Sequence, residues 1–388
     1  MNLAFDSKSI ERVYGDRFVE GNRVELLSKG KDSFTAIFKG IEEAKLFICL
    51  HFYIFRNDET GTKMADALKA KAREGVKVYI LYDHFGSIGT PRAFWDDLSN
   101  AGIHIRASRP FKWSEPLRYI RRDHRKMIIS DGIRAFTGGL NIANEYRGFH
   151  LRIKRSGWRD TGVMLEGPVA CSLFQIFQKT WHAWRGETIP AIDLPTFPAS
   201  HCQSGFCLPV IPIFASSSKG RRRMRKLLYY SINNSKESIL LTTAYFTPSR
   251  RMIDSLEDAV KRGVEVKLLL PGKSDVPAAY HTGRAFFTRL LRAGIKIYTY
   301  QGQVLHAKSY VFDGSWSIVG SANLDFQSLR WNDEGNVGIL DQGFGRRMTE
   351  MFEEDLTHSI EIKEDAWSQR PVFERFKEQF FVLFRRRL

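Results

Sequence analysis

The amino-acid sequence predicts an α/β fold of two similar halves. Each half is expected to have a mixed, mostly parallel sheet, and a pseudo-twofold axis would relate them, with an active site at their interface. Three observations predict this fold: one polar motif occurs twice, the segments around it recur in the same order, and each copy alternates β-branched runs with helical patterns. Such alternation is typical of a parallel sheet with helices on its faces. A pocket between equivalent halves would draw on both copies.

The duplicated motif consists of His-x-Lys, an Asp seven residues after the His, and a closing Gly-Gly/Ser-x-Asn. The first copy, "HRKMIISDGIRAFTGGLN", begins at His124, and the second, "HAKSYVFDGSWSIVGSAN", begins at His306. A single His-x-Lys is usually a solvated surface pair, but two matched copies inside a wider repeat predict shared chemistry. The matched residues are His124, Lys126, Asp131, Gly139 and Asn141 in the first copy, and His306, Lys308, Asp313, Ser321 and Asn323 in the second.

The repeat extends beyond the motif. "AREGVKVYILYD" from Ala72 matches "VKRGVEVKLLLPG" from Val260, and "LSNAGIHI" from Leu98 matches "LLRAGIKI" from Leu290. "GTKMADALKAKAREG" and "RRMIDSLEDAVKRG" carry apolar residues at helical spacing, end at Gly and lead into β-branched runs. This arrangement predicts βαβ units in both copies.

A Pro-rich segment at 189–212 predicts the boundary between the halves. The predicted divisions are an N-terminal half at 1–188 with the first motif, a linker at 189–212, a C-terminal half at 213–366 with the second motif, and a basic amphipathic helix at 367–388.

The motif suits a phosphodiester. Residues two apart on a strand lie on the same face, so each His and Lys would point into one pocket. Two lysines close together repel each other unless an anion lies between them. The expected phosphate-binding groups are Lys126, Lys308, Asn141 and Asn323, with the chain at Gly139 and Ser321 close to the ligand.

The two imidazoles predict covalent catalysis. Placed on opposite sides of phosphorus, one His would attack as a neutral nucleophile and the other would protonate the leaving alkoxide, giving a phosphohistidine. The motifs alone do not distinguish the two roles. No cluster of carboxylates or cysteines at metal-ligand spacing accompanies them, so we expect neither a metal nor another cofactor.

A catalytic imidazole usually needs a carboxylate that fixes its tautomer. Each copy has a downstream candidate: Asp160 in "GWRDTGV" follows His124, and Glu334 in "WNDEGNV" follows His306. Asp131 and Asp313 are also candidate catalytic residues, although a turn just after the strand suits structural bracing better.

Both motifs match the His-x-Lys-x4-Asp signature of the phospholipase D superfamily, and the chain resembles its bacterial cardiolipin synthases from about Asn22 to Leu356. The resemblance rests on "RRDHRKMIISDGIRAFTGGLNIANEY", "WRDTGVMLEGPVA", "AYFTP", "LHAKSYVFDGSWSIVGSANLD" and "SLRWNDEGNVGIL". It implies two phospholipase D-type halves and metal-independent phosphatidyl transfer. His124 would be the nucleophile and His306 the general acid and base.

The implied substrates are phosphatidylglycerol and a second phospholipid, either phosphatidylglycerol or phosphatidylethanolamine, with cardiolipin as the product. The alternative within the superfamily is a phosphodiesterase that hydrolyses phospholipid or nucleic acid. A catalytically silent membrane scaffold is a third hypothesis, against which the two intact motifs argue. We expect no nucleic-acid partner and no obligate partner protein.

The charge balance favours anionic partners. Lys and Arg exceed Asp and Glu by 59 to 43, a net charge of +16, which suits an acidic lipid surface, nucleic acid or phosphorylated substrates. Four cysteines in 388 residues predict no disulfide framework. The start shows no signal-peptide pattern, and the apolar run around 46–55 is too short to span a bilayer. These features predict a peripheral protein on the cytoplasmic side of the cell membrane, of the short form without N-terminal transmembrane helices.

The C-terminal segment "FERFKEQFFVLFRRRL" predicts an amphipathic helix that lies in the headgroup region of an anionic membrane. The alternative is a helix that packs on its own protein. Two basic, aromatic stretches, at 109–122 and 149–158, could also meet the membrane near the pocket mouth. The predicted membrane-binding residues are Trp113, Phe376, Phe380, Phe384, Arg385, Arg386 and Arg387.

Overall fold

The computed structural model describes most of the chain and shows the predicted α/β class. A single mixed sheet of fifteen strands runs through the described part of the chain, with helices on both faces. The described residues are 4–111, 113, 121–147, 157–190, 192–197 and 207–385.

The first half alternates strands and helices before the motif and carries the motif in a hairpin. Its strands are β1 (Val19–Leu27), β2 (Phe47–Phe52), β3 (Lys77–Asp83), β4 (His104–Ser108), β5 (Met127–Ser130), β6 (Arg134–Gly138) and β7 (Gly162–Glu166). Its helices are α1 (Ser7–Tyr14), α2 (Gly30–Glu42), α3 (Glu59–Arg73), α4 (Arg92–Asn100), α5 (Asn144–Arg147) and α6 (Pro168–Ala183).

The second half repeats the strand order of the first half and adds one edge strand at its end. Its strands are β8 (Leu208–Ala215), β9 (Ser238–Thr242), β10 (Glu265–Pro271), β11 (Lys296–Tyr300), β12 (Ser309–Phe312), β13 (Trp316–Gly320), β14 (Glu334–Leu340) and β15 (Ser359–Ile362). Its helices are α7 (Ser218–Asn234), α8 (Arg250–Lys261), α9 (Pro277–Arg284), α10 (Phe287–Arg292), α11 (Phe326–Arg330), α12 (Gln342–Thr357), α13 (Glu364–Ser368) and α14 (Val372–Val382).

The strand order is symmetric about the centre of the sheet. Outward from the centre it reads β1-β7-β6-β5-β2-β3-β4 on one side and β8-β14-β13-β12-β9-β10-β11-β15 on the other. Strands β1 and β8 pair antiparallel and join the two sides. The matching order agrees with the predicted pseudo-twofold relation, but the two halves share one sheet. The linker predicted at 189–212 overlaps β8, which begins at Leu208.

The prediction of mostly parallel pairing is wrong. Among the described strands only β2–β3, β3–β4, β9–β10 and β10–β11 pair in parallel, and the other ten pairs are antiparallel. The βαβ units predicted from helical patterns lie in the outer part of each half. Each motif instead folds as a hairpin, β5–β6 or β12–β13, and hairpin strands are necessarily antiparallel.

Asp131 and Asp313 occupy the turns of these hairpins in the left-handed region, at φ 56° and 49°. The Asp131 carboxylate accepts hydrogen bonds from the backbone N–H groups of Lys45, Leu46 and Phe47, at the start of β2. The Asp313 carboxylate accepts from the equivalent backbone N–H groups at positions 236–238, at the start of β9. Each aspartate therefore ties its motif hairpin to the neighbouring strand.

The helical segments of the repeat fold as predicted. Helix α3 begins after Asp58, whose side chain accepts the Gly61 N–H, and α8 begins after Ser249, which caps in the same way. Beyond their ends, Gly75 and Gly263 adopt φ 89° and 88°, which favours glycine and stops both helices.

The halves also share their hydrophobic core. One buried cluster combines side chains of α6 from the first half with side chains of α12 from the second, including Phe177, Trp181, Phe344 and Phe352. The N-terminal helix α1 packs against α7 of the second half. The halves are consequently held in a fixed relation by packing as well as by the continuous sheet. No helix in the described part of the chain is both long and apolar enough to cross a bilayer.

Candidate active site

A cavity of about 390 Å³ lies between the halves, and side chains of both motifs line it. The first half contributes Tyr53, His124, Asn141, Tyr146 and Trp158, and the second contributes Tyr245, Asp275, His306, Asn323 and Asp325.

Each motif histidine is clamped by the backbone of the opposite half. The His124 N–H donates to the carbonyl of Asp333 at 2.8 Å, and the His306 N–H donates to the carbonyl of Arg159 at 2.8 Å. Isolated bridges of the same kind join Asp123 to Asp333 and Arg159 to Leu305. The segment that precedes each carboxylate therefore positions the histidine of the other copy.

The carboxylates are exchanged between the halves. His124 Nδ1 lies 3.1 Å from Glu334 Oε2, and His306 Nδ1 lies 2.7 Å from Asp160 Oδ2. The sequence identifies Asp160 and Glu334 as candidate imidazole partners without assigning each to a histidine, and in the structure each one contacts the histidine of the other copy. Asp160 and Glu334 stand just before or at the start of β7 and β14, close to the junction of the halves, so they reach across it.

These contacts fix the tautomers. A hydrogen on Nδ1 can be donated to the carboxylate, which leaves Nε2 as the basic nitrogen. Burial, reinforced by the Lys126 ammonium, lowers the pKa of His124. Burial and the Lys308 ammonium lower the pKa of His306 to about 4, even though Asp160 opposes the shift. Both rings are therefore neutral at pH 7 in the free protein.

The two lysines lie beneath the cavity and do not line it. Lys126 Nζ donates to the carbonyl of His124 at 2.6 Å, and Lys308 Nζ lies 2.8 and 3.0 Å from the two ring nitrogens of His306. Because Lys308 Nζ is this close to both ring nitrogens, it lies against the face of the imidazole and cannot donate hydrogen bonds to both nitrogens in the plane of the ring. Burial, reinforced by the Lys308 ammonium, lowers the pKa of Lys126 to about 7, and burial lowers the pKa of Lys308 to about 8.

The two asparagines line the cavity as predicted, but their side-chain oxygens are engaged. Asn141 Oδ1 accepts from the Ile54 N–H at 3.0 Å, and Asn323 Oδ1 accepts from the Tyr245 N–H at 3.3 Å. Asn141 Nδ2 donates to the Tyr146 hydroxyl. The amide group of Asn323 has no acceptor among the described residues, so it is the freer donor for a ligand.

Gly139 and Ser321 lie next to the carboxylates of Asp160 and Glu334, and their contacts are with these groups and the backbone around them. The Gly139 N–H donates to the Thr161 carbonyl, and the Ser321 N–H donates to the Gly335 carbonyl, so neither amide is free for phosphate. A Cβ on Gly139 would lie 2.0 Å from Asp160 Oδ1. At the equivalent position, the Ser321 hydroxyl donates a hydrogen bond to Glu334, and the backbone carbonyl of Ser321 contacts His124 Nδ1.

Asp131 and Asp313 lie outside this cavity. Their carboxylates are occupied by backbone N–H groups at the far ends of the hairpins, as described above. The structure therefore gives them bracing contacts and no contact with the imidazoles.

Several cavity residues were missed as site residues by sequence reasoning. The Tyr53 ring lies 5.0 Å from the His124 ring, and the Trp158 and Tyr146 rings each lie 5.3 Å from the His306 ring. Trp158 ends the basic, aromatic stretch at 149–158 that could meet the membrane near the pocket mouth, and it forms part of the cavity wall. The sequence signal that could have identified Tyr53 and Tyr245 as site residues is that "FYIF" and "AYFTP" occupy equivalent places in the two copies of the repeat.

The cavity has two carboxylates on the side of the second half, Asp275 and Asp325, and none among the described first-half residues that line it. Asp275 accepts from the Tyr245 hydroxyl at 2.8 Å, and Asp325 accepts from the Ser328 N–H at 2.6 Å. Burial raises the pKa of Asp325 to about 7. Across the described residues, no group of three or more His, Cys, Asp or Glu side chains has the geometry to hold a metal ion.

Three of the predicted membrane-binding residues, two on α14 and Phe384 just after its end, are exposed apolar side chains. Phe376 is 68% exposed, and Phe380 and Phe384 are 47% and 42% exposed. The helix is fixed on its other side by Glu378, which is buried and paired with Arg284 and Arg370. Trp113 is also exposed and Arg385 follows the helix, whereas Arg386 and Arg387 lie outside the described residues.

A model of the family described as cardiolipin synthase, PLD-like domain, matches residues 37–179 and 228–356, which together span both motifs and both carboxylates. The chain belongs to the cardiolipin synthase family of PLD-like proteins. This cardiolipin synthase family member is 34% identical to the major cardiolipin synthase of Bacillus subtilis (strain 168) over 93% of its own length and 74% of that protein. It is 34% identical to cardiolipin synthase A of Pseudomonas putida (strain ATCC 700007) over 88% of its length and 70% of that protein.

Among solved structures, phosphatidylserine synthase of Haemophilus influenzae Rd KW20 shares the fold of this family member, with a TM-score of 0.75 and 13% identity over 97% of both chains. At 13% identity, this similarity shows a shared fold and nothing further.

Gly139→Ala tests whether the carboxylate exchange is needed for catalysis by this family member. The added methyl would displace Asp160 from His306, and we expect turnover to fall by about 10²–10⁴-fold, as for loss of an imidazole-orienting carboxylate. Gly89→Ala is the matched control, since nothing lies within 4 Å of its Cβ position and its φ is ordinary. Turnover is measured alongside circular dichroism, and a folded, fully active Gly139→Ala protein would contradict the assigned role of Asp160.

The lysine pKa values predict proton uptake on anion binding. At pH 7.5 the lowered pKa values leave Lys126 and Lys308 partly deprotonated, and a bound anion raises both, so protons are taken up. We expect up to about one proton per bound sulfate, measured by calorimetry in two buffers of different ionisation enthalpy. Lys126→Met should reduce the uptake. Proton release, or uptake unchanged by the substitution, would show that these lysines are not the responding groups.

Proposed function

We propose that the protein forms cardiolipin from phosphatidylglycerol and a second phospholipid through a phosphohistidine on His124. Family membership makes it a phospholipid phosphatidyltransferase; the lipid pair and the mechanism are our proposal. The observation that carries it is the pair of imidazoles at one cavity, each oriented by a carboxylate of the opposite half. This arrangement suits in-line displacement at a single phosphorus.

In the first step, His124 Nε2 attacks the phosphorus of a donor lipid. The P–N bond forms as the bond from phosphorus to the headgroup oxygen breaks, and protonated His306 gives its proton to that oxygen. With phosphatidylglycerol as donor, the released headgroup is glycerol. Lys126 and Lys308 neutralise the charge on the non-bridging oxygens, in the role that a metal ion fills elsewhere.

The second step reverses the first with a new alcohol. Neutral His306 takes the proton of the glycerol hydroxyl of phosphatidylglycerol, whose oxygen attacks phosphorus while the P–N bond breaks. His124 leaves as the neutral imidazole, and His306 is protonated again for the next turnover. The product carries two phosphatidyl groups on one glycerol.

The assignment of the nucleophile draws on a difference between the two imidazoles. His124 Nε2 makes no hydrogen bond to any described residue, so its lone pair is available to phosphorus. The Lys308 ammonium lies against the His306 ring and, together with burial, keeps its pKa low in the free protein. An arriving phosphodiester would draw Lys308 towards its oxygens, which raises the pKa of His306 and allows it to hold the proton it must donate.

The two carboxylates of the second half favour a hydroxyl-bearing headgroup over a polyanion. Asp275 flanks the His306 side of the cavity and would repel a nucleic-acid phosphate that lay beside it, as would Asp325 in its ionised form. Their oxygens can instead accept hydrogen bonds from glycerol hydroxyls, or hold the ammonium of phosphatidylethanolamine. Hydrolysis by water at the phosphohistidine is the competing outcome.

Trapping the intermediate tests the mechanism. In His306→Ala the general acid and base is absent, so we expect cardiolipin formation from phosphatidylglycerol vesicles to fall by about 10²–10⁴-fold. A donor with a good leaving group, such as a p-nitrophenyl ester of phosphatidic acid, should still load His124, which intact-protein mass spectrometry detects.

His124→Ala is the matched control and should show no adduct. A chelator should leave wild-type turnover unchanged. An adduct on His306, or phosphatidic acid as the only lipid product, would contradict the assigned nucleophile or the transfer reaction respectively.

We further propose that α14 brings the cavity to an anionic membrane surface. Helix α14 packs on α9, and residues at and just before the start of α9 line the cavity, so the exposed phenylalanines lie on an element that adjoins the site. An apolar stripe on a terminal helix of a basic protein suits insertion among anionic headgroups.

The substitutions Phe376→Ser and Phe380→Ser test this surface. We expect the double variant to bind phosphatidylglycerol vesicles at least about tenfold more weakly, because each buried phenyl ring contributes about 1.5–3 kcal/mol. The control pair is Leu46→Ser and Ile133→Ser, which removes exposed apolar side chains of the first half, far from α14 in sequence. Vesicle co-sedimentation measures binding, and equal binding by both double variants would remove α14 as the membrane contact.

A further inference from the structure

A second cavity, of about 460 Å³, lies on the other side of the catalytic segments. Arg125 lines it, while the adjacent His124 lines the catalytic cavity; Asp333 also lines it, directly before Glu334. The remaining walls come from α6, the end of β8, the start of α7 and the residues at the end of α1. The chain segments that hold the imidazole and its carboxylate thus separate two cavities.

Cations dominate the wall of this second cavity. Five basic side chains line it against two carboxylates, Asp16 and Asp333. Asp333 is already paired with Arg109 at 2.5 Å and with Arg221 at 3.2 Å. The basic lining residues are Arg109, Arg125, Lys179, Lys219 and Arg223.

Three of these cations have no carboxylate partner. Lys179, Lys219 and Arg223 make no ion pair within 4 Å in the described part of the chain. The Nε atom of Arg109 is buried and likewise lacks an acceptor there. Like charges gathered around one cavity destabilise each other unless an anion occupies it.

The shape and remaining chemistry of the walls suit a phosphate-bearing molecule. Helix α7 begins at Ser218, and Lys219 and Gly220 of its first turn line the cavity, which places the positive end of the helix dipole beside it. Tyr14, Trp184 and Phe214 add aromatic surface beside the cations. The volume lies within the range of small-molecule sites.

We propose that this cavity is a second anion site, which binds a phosphate monoester or diester through Lys179, Lys219 and Arg223. The ligand is either free phosphate or the headgroup of an anionic lipid, since both present the same oxygens. This proposal can be tested independently of the proposed reaction, because anion binding is measured without catalytic turnover.

Equilibrium dialysis with inorganic [32P]phosphate, and calorimetry with soluble dihexanoyl phosphatidylglycerol, test the site. Both use the full chain carrying Lys126→Met and Lys308→Met, which removes the catalytic phosphate ligands. We expect one bound anion to remain. Lys219→Glu with Arg223→Glu should weaken it by about a hundredfold or more, since each charge-assisted contact is worth about tenfold.

The matched control is Arg222→Glu with Lys226→Glu, which makes the same charge change on exposed positions of α7 outside the cavity. It should alter affinity by less than about threefold. Lys179→Ala, on a different helix, should weaken binding by about tenfold, with thermal unfolding unchanged. Binding of the lipid alone identifies a headgroup site, and binding of both identifies a general phosphate site. No bound anion, or equal loss in the α7 variant and its control, would overturn the proposal.

Discussion

The exchange of carboxylates between the halves is the interaction on which the site depends. Glu334 holds His124 and Asp160 holds His306, so neither half contains a complete oriented imidazole. Backbone hydrogen bonds from the His124 N–H to the Asp333 carbonyl and from the His306 N–H to the Arg159 carbonyl also tie each histidine to the opposite half. The continuous sheet and shared core keep these partners in register, because a small rotation at the β1–β8 junction would separate both pairs at once.

The electrostatics of the cavity follow from burying four basic groups together. Lys126 and Lys308 are almost completely inaccessible to solvent, and burial lowers the pKa of each into the neutral range. Asp160 and Glu334 offset part of this cost, and an incoming phosphodiester would supply the missing negative charge. We therefore expect the free site to bind an anion and protons together, and in the proposed mechanism this would link substrate recognition to the protonation of His306.

Much of this arrangement was accessible from the sequence, because the duplicated motif and its flanking repeat predict two equivalent halves with one pocket. The Asp-Gly steps at 131–132 and 313–314 also carried a hairpin signal, and antiparallel pairing follows from it. The partner of each histidine was not accessible, since Asp160 follows His124 and Glu334 follows His306 along the chain. Only the geometry of the junction brings each carboxylate to the other imidazole, and the same geometry places Trp158 in the cavity wall.

The measurement that tests the shared site most directly is a structure of the protein with bound vanadate, an analogue of the pentacoordinate phosphorus. We expect a single vanadium between Nε2 of His124 and Nε2 of His306, with both ring nitrogens in line and the ammonium groups of Lys126 and Lys308 on equatorial oxygens. Vanadate held by one imidazole, with the other ring directed into a separate cavity, would contradict the account.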